Sequence, residues 1–216
     1  MDRSKQHRAV VGWGAAASLL ILAMVAGDIL LAAADWRVYL VVQDALAGRA
    51  TEAEFTAAAD FWDSVRGPRW FLLLVPVYAV FAVWMWRARL NAEALGGPGS
   101  QRRARAWVLA GWITPVANLW VPYQVVSDVW KASAPGRSAP RARLAVWWGA
   151  LLVGTYVGNG YVNLLKDEFD TVDDLRRLVT LSTTSAVLDV VAGAIIVHTI
   201  HRVSTWQTQR RAEARR

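Results

Sequence analysis

Residues 107–133 read WVLAGWITPVANLWVPYQVVSDVWKAS. The run is apolar enough to enter a membrane and arginines flank it on both sides, yet Pro115, Asn118 and Pro122 sit among its tryptophans. Each proline removes a backbone donor and clashes with the preceding turn, so one helix through both is costly. A break is therefore predicted. Freed backbone groups cannot face lipid unpaired, and the Asn118 side chain, which both donates and accepts, is placed to meet them. Pro122 suits the first turn of a second helix. There Tyr123, Val126, Val129 and Trp130 recur at helical spacing while Gln124, Ser127, Asp128 and Lys131 fall elsewhere. Such a two-faced helix is expected to lie on a membrane surface.

The chain around this segment has 216 residues, 55% of them hydrophobic and thirteen of them tryptophan, a composition of membrane proteins rather than soluble domains. It has no cysteine, which excludes disulfides, thiolate metal sites and cysteine nucleophiles. The net charge is +7, but in a membrane protein the placement of charge matters more than its sum. Arginine greatly exceeds lysine (Lys5, Lys131 and Lys166), which with the abundant alanine and glycine suggests a GC-rich coding sequence.

A spanning helix needs about 20 mostly apolar residues, and four segments meet that expectation: 10–34, 69–86, 144–165 and 179–200. The charges between them set the orientation. Residues 1–9 carry Arg3, Lys5 and Arg8 against Asp2, and 87–106 carry five arginines against Glu93. Residues 35–69 are acidic, as are 166–179, which hold Asp167, Glu168, Asp170, Asp173 and Asp174. Residues 127–143 and the tail 201–216 are basic again. With basic loops kept in the cytoplasm, 107–126 has cytoplasmic flanks on both sides. A fifth span there would translocate Lys131, Arg137, Arg141 and Arg143, turn the acidic 166–179 loop inward and put the arginine-rich tail outside. The predicted fold is all-α: a single membrane domain over 1–216, a polytopic bundle of four transmembrane helices with a Pro-broken re-entrant or interfacial segment on the cytoplasmic side. It is a multi-pass plasma-membrane protein with both termini cytoplasmic.

Three local patterns bear on this plan. MDRSKQHR with the small residues at 31–35 resembles a cleavable leader, although the apolar run exceeds the roughly 7 to 15 residues of a leader core. TEAEFTAAADFWDSVRG at 51–67 puts Phe55, Ala58, Ala59, Trp62 and Val65 near one helical face. LGGPGS at 95–100 reads as a turn and lacks the Gly-Lys-Ser/Thr ending of a phosphate loop. The two halves share a plan of span, acidic loop and span, without a residue-level repeat.

Asp28 and Asp189 are the acids within the spans, where a central acid costs roughly 2.5 to 3.5 kcal/mol on insertion scales. Thr155, Asn159 and Asn163 share one face at i, i+4, i+8, and Ser182, Ser185 and Asp189 share another at i, i+3, i+7. The two stripes are expected to face each other, either as interhelical glue at about 0.6 kcal/mol per hydrogen bond or as an ion-accessible pocket around Asp189. Gly154 and Gly158 form a G-x-x-x-G that admits a close neighbour, within the bundle before a second copy. His198 and His201, with His7, lack the H-E-x-x-H spacing of a metal site. No G-x-S-x-G elbow is present. The basic tail with Trp206 suits anionic headgroups at about 1 kcal/mol per basic residue, and nucleic acid is not expected.

The succession WMWRARLNAEALGG (84–97) and GWITPVANLWVPYQVVSDVWKAS (111–133) is similar to the actinobacterial membrane family known as domain of unknown function 4328. Its members show W-x-x-R-A-R-x-N, then P-x-x-N-L-W-x-P-y and D-x-W-[KR]-A-S. The matching positions are Trp84, Arg87, Ala88, Arg89, Asn91, Pro115, Asn118, Leu119, Trp120, Pro122, Tyr123, Asp128, Trp130, Lys131, Ala132 and Ser133. The resemblance implies class and layout, with the cytoplasmic-side motif as the defining feature, and no mechanism. The expected function is non-enzymatic association with anionic lipid or membrane-protein partners, without cofactor or metal. In it Arg87 and Arg89 hold headgroup phosphates, Asn91 and Asn118 secure broken backbone, and Asp128 pairs with Lys131 or a nearby arginine. The alternative is a small transporter or channel with Asp189 as titrating group beside Asp28, Asn159, Asn163 and Ser185.

Overall fold

The computed structural model describes residues 8–66, 69–97, 99–136, 138–166 and 171–213, with only the backbone given at 69–71. The expected basic segment 1–7 and the acids Asp167, Glu168 and Asp170 lie outside the described residues. Among those described, the chain is helical and contains no strand. The helices are α1 (Val11–Leu46), α2 (Glu52–Arg66), α3 (Arg69–Gly96), α4 (Trp107–Ile113), α5 (Val121–Ser133), α6 (Arg141–Leu164) and α7 (Val172–Glu213), with a 3-10 turn at Ala117–Leu119.

Among the described residues three helices, not the expected four, are long and apolar enough to cross a membrane: α1, Leu72–Gly96 of α3, and α7. The helix predicted at 144–165 forms as α6, but its four glycines together with Asn159, Asn163 and Thr155 dilute the apolar run. The spans also outlast their predicted ends. Asp35 was read as the outer limit of α1, yet the helix continues to Leu46, because Asp35 finds hydrogen-bond donors inside the protein. Residues 201–213, read as a basic tail, are the last turns of α7, with Val203, Ser204, Trp206 and Gln207 buried.

The chain divides into two compact units: one from the described parts of Met1–Ile21, Val75–Trp148 and Ala194–Arg216, the other from Leu22–Leu74 and Gly149–Gly193. In the first unit, Trp84, Met85, Leu144, Trp147 and Ile200 form an apolar centre. Trp112 meets Tyr78, Phe81 and Trp148 edge to face, with ring centroids 6.2, 5.6 and 5.6 Å apart, a geometry the aromatic quadrupole favours. Gly14 permits a close approach: a Cβ there would stand 2.9 Å from Ser204 Oγ and 3.0 Å from Ile200 Cγ2.

The second unit is organised by Asp35, which is 1% exposed. Its Oδ1 accepts from Trp62 Nε1 at 2.7 Å and from Tyr161 O–H at 3.2 Å. A buried carboxylate requires such partners. Helix α2 begins with a capping box in which Thr51 Oγ1 accepts from Glu54 N at 3.3 Å and Glu54 Oε2 accepts from Thr51 N at 2.8 Å. The Thr51 backbone N–H holds the Glu54 carboxyl below its ordinary value. Of the face predicted for α2, Ala58 is buried and Ala59, Trp62 and Val65 are half-buried, whereas Phe55 is exposed.

Candidate functional site

The motif residues gather in the first unit, and α3 supplies the first group. Trp84, Ala88 and Asn91 follow one another at i, i+4, i+7 and are all buried, as one helical face demands. Trp84 Nε1 donates to Ser204 Oγ at 3.0 Å. Asn91 secures backbone, but that of the residue leading into α1: its Oδ1 accepts from Arg8 N and its Nδ2 donates to Arg8 O, both at 2.8 Å. Asn91 Nδ2 also donates to Gln207 Oε1 at 3.0 Å, and Gln207 Nε2 donates to Ala88 O at 2.9 Å and to Ser133 Oγ at 2.8 Å. Gln207 therefore joins α3, α5 and α7. Sequence reasoning missed it because residues 201–216 read as a solvated tail; the signal available was its i+3 and i+4 spacing from Ser204 and Val203.

The arginines divide. Arg87 Nη1 donates to Ala9 O at 3.2 Å, with its guanidinium 5.6 Å from the Trp13 ring centroid. Arg89, expected to hold headgroup phosphate, is instead buried: Nη2 donates to Arg103 O at 2.5 Å and Nη1 lies 2.7 Å from Glu93 Oε1. After α3 the chain turns through Gly97 and Gly99 at φ +75 and +79, a region open to glycine at little cost. That turn delivers Arg102 to Asp128. Asp128 Oδ1 accepts from Arg102 Nε and Nη2, both at 2.9 Å, while Oδ2 accepts from Arg102 N at 3.0 Å. Lys131 is exposed and takes no part in any ion pair among the described residues.

The break stands between α4 and α5. Thr114 leaves the helix in an extended conformation, as a residue before proline prefers, and Val116 follows at φ +65. A β-branched residue is strained there. Beyond the 3-10 turn, Pro122 lies in the first turn of α5. The freed carbonyl of Leu119 is met by Trp148 Nε1 at 2.7 Å, not by Asn118, whose Oδ1 is buried without a hydrogen-bond partner. Gly111 allows α4 and α5 to close, since a Cβ there would stand 2.7 Å from Val121 Cγ1.

Helix α5 corrects a further expectation. It was read as lying on a membrane surface, but ten of its thirteen residues are buried in the first unit. Its polar face is satisfied internally by Arg102 and Gln207. On its apolar face Trp130 stacks on His198 at 6.3 Å, meets Trp206 edge-on at 4.9 Å and carries Arg143 at 4.9 Å over its ring. Tyr123 is half-buried. Within this segment the exposed apolar side chains lie instead at the bend: Leu109, Ile113, Val116, Leu119 and Trp120 are all exposed, Ile113 to 82% and Trp120 to 42%.

The second cluster falls in the other unit, where the structure separates the two polar stripes. Asn159 and Asn163 are exposed, and Asn163 Oδ1 accepts from Lys166 Nζ at 3.1 Å. Opposite α7 stand Gly154 and Gly158 instead, whose added Cβ atoms would lie 3.3 Å from Asp189 Oδ1 and 3.5 Å from Ser185 Oγ. Adjacent residues on a helix point about 100° apart, so the glycine pair and the Thr155/Asn159 pair could not both face α7. Close backbone approach won, as it does where helices pack in lipid. Ser185 Oγ donates to Asp189 Oδ2 at 3.2 Å, and Asp28 lies within electrostatic reach of Asp189.

Helices of this length and apolarity, with arginine and tryptophan collected beside a proline break, define an integral membrane protein. Residues 47–205, most of the chain, match the family model described as Domain of unknown function (DUF4328). The chain belongs to that family. No curated protein and no solved structure matches it.

Proposed function

We propose that the protein is a non-enzymatic, multi-pass component of the plasma membrane that associates with anionic lipid or partner membrane proteins through the bend between α4 and α5. The observation that carries this reading is the exposed apolar set at the bend, Leu109, Ile113, Val116, Leu119 and Trp120, set between arginine-bearing segments at 102–105 and 141–143. Contiguous apolar surface of this kind belongs against a membrane or a partner, and neighbouring guanidinium groups suit phosphate headgroups. In this reading both termini are cytoplasmic, the bend is re-entrant or interfacial, and α6 crosses as a fourth span sheltered by α7. No cofactor or metal takes part. The motif stretches 84–97 and 111–133 support an actinobacterial source through their resemblance. Trp120→Ala should lower the anionic lipid or partner protein that copurifies with the chain about threefold or more, measured by lipid extraction and mass spectrometry. Unchanged recovery would remove the bend from the function.

A second reading rests on Asp28 and Asp189, two acids brought within reach of each other between apolar helices, as proton or ion carriers require. Here Asp189→Asn should abolish proton flux in liposomes holding the purified protein while leaving expression intact. Absence of flux from the unaltered protein would end this reading.

A further inference from the structure

Beyond the bend, the segment after α3 encloses an open recess of about 460 Å³ whose lining includes Arg89, Glu93, Ser100, Gln101, Arg103 and Arg105. Three guanidinium groups and one carboxylate line it. Glu93 uses both oxygens on two of them: Oε1 lies 2.7 Å from Arg89 Nη1, and Oε2 lies 2.7 Å from Arg105 Nη2. Arg103 takes part in no ion pair among the described residues, and its Nε donates to the neutral Oε1 of Gln124 at 3.0 Å. The recess therefore keeps an excess of positive charge, with the forks of Arg89 and Arg105 fixed by Glu93.

Two further groups lining it are buried and lack hydrogen-bond partners, Ser100 Oγ and Gln101 Oε1. Buried polar atoms without partners are rare, and these two complement each other. Ser100 can donate. Gln101 already donates through Nε2 to Asp128 O at 3.3 Å, so its free Oε1 accepts. Gly97 and Gly99, at positive φ, add wall without side chain, so a ligand can approach the backbone. The volume falls within the roughly 300 to 1,000 Å³ of small-molecule sites.

We propose that this recess binds a phosphate monoester bearing a neighbouring hydroxyl. Its phosphoryl oxygens accept from Arg103 and Arg105, and the covered Ser100 hydroxyl and Gln101 carbonyl turn into the recess to donate to the phosphate and to accept from the ligand hydroxyl. The mode differs from a phosphate loop, which uses lysine and a helix N-terminus; here planar guanidinium forks match the phosphate oxygens. A lipid headgroup and a free polyol phosphate share this chemistry. Arg103 and Arg105 flank the bend in sequence, but its apolar residues are not used here, so the two readings fail separately: unchanged recovery of lipid and partner protein in Trp120→Ala with ligand binding intact sinks only the bend.

The full-length chain in neutral detergent micelles is titrated calorimetrically with glycerol phosphate, with short-chain lysophosphatidic acid, which keeps a free hydroxyl beside its phosphate monoester, and, as zwitterionic control, with short-chain lysophosphatidylcholine. Binding of lysophosphatidic acid alone assigns a lipid headgroup, and binding of glycerol phosphate assigns a site open to free ester. Arg103→Gln with Arg105→Gln should weaken the bound ligand about tenfold or more, and Arg105→Lys, which keeps the charge and loses the fork, should weaken it by a smaller factor. Arg177→Gln, at an exposed arginine outside both the recess and the bend, should leave affinity within about twofold. Absence of binding by both phosphomonoesters overturns the proposal, as does an equal loss in Arg177→Gln, which would assign the effect to overall positive charge.

Discussion

Replacing Trp84 by alanine should lower stability by about 3 to 5 kcal/mol, the range for removing a large aromatic from a packed core. Trp84 is fully buried. It packs on Phe81 with centroids 5.6 Å apart, and its indole N–H is the partner of Ser204 Oγ. Alanine leaves both a void and a buried hydroxyl without its donor. Trp84→Phe keeps much of the volume and loses chiefly the hydrogen bond, so its cost should fall to about 1 to 2 kcal/mol. Equilibrium unfolding in a fixed detergent, followed by near-ultraviolet circular dichroism, separates the two. A loss below about 1 kcal/mol for the alanine variant would mean that this centre does not hold the first unit together.

Gln207→Leu should cost about 3 kcal/mol, because it strips partners from several buried groups at once and each orphan costs about 1 to 3 kcal/mol. The groups are Ser133 Oγ and Asn91 Nδ2, with the second acceptor site of the Ala88 carbonyl. Asn91 is itself bound to the backbone of Arg8, so the deletions should be non-additive. The double variant with Asn91→Leu should be less destabilised than the two singles together by about 1 kcal/mol or more. Strict additivity, read from the same unfolding curves, would show that the two side chains do not act as one network.

The position of the break was legible because proline chemistry is local: Thr114 leaves the helix and Pro122 opens the next one, as the two rings require. Yet proline alone does not decide, since Pro76 lies inside α3 without ending it. The filling of the break was not legible. Asn118 was the nearest amide in sequence, but Trp148, 29 residues away, reaches the Leu119 carbonyl. Asp35 was equally hidden, because its partners Trp62 and Tyr161 come from distant helices. Its seven-residue spacing from Asp28, which repeats a helical face, was the one local hint.

By itself the amino-acid order determined the helical class, the membrane setting, the site of the break and the family, because hydropathy, helical period and proline geometry act within a few turns of chain. Tertiary structure alone decided which face of each helix is covered and by what. It buried α5 rather than laying it on a surface, turned Gly154 and Gly158 rather than Asn159 towards α7, and chose Arg102 from several arginines for Asp128. Periodicity states that a face exists; only the approach of another helix, limited by side-chain volume and the need to pair buried polar groups, names its occupant.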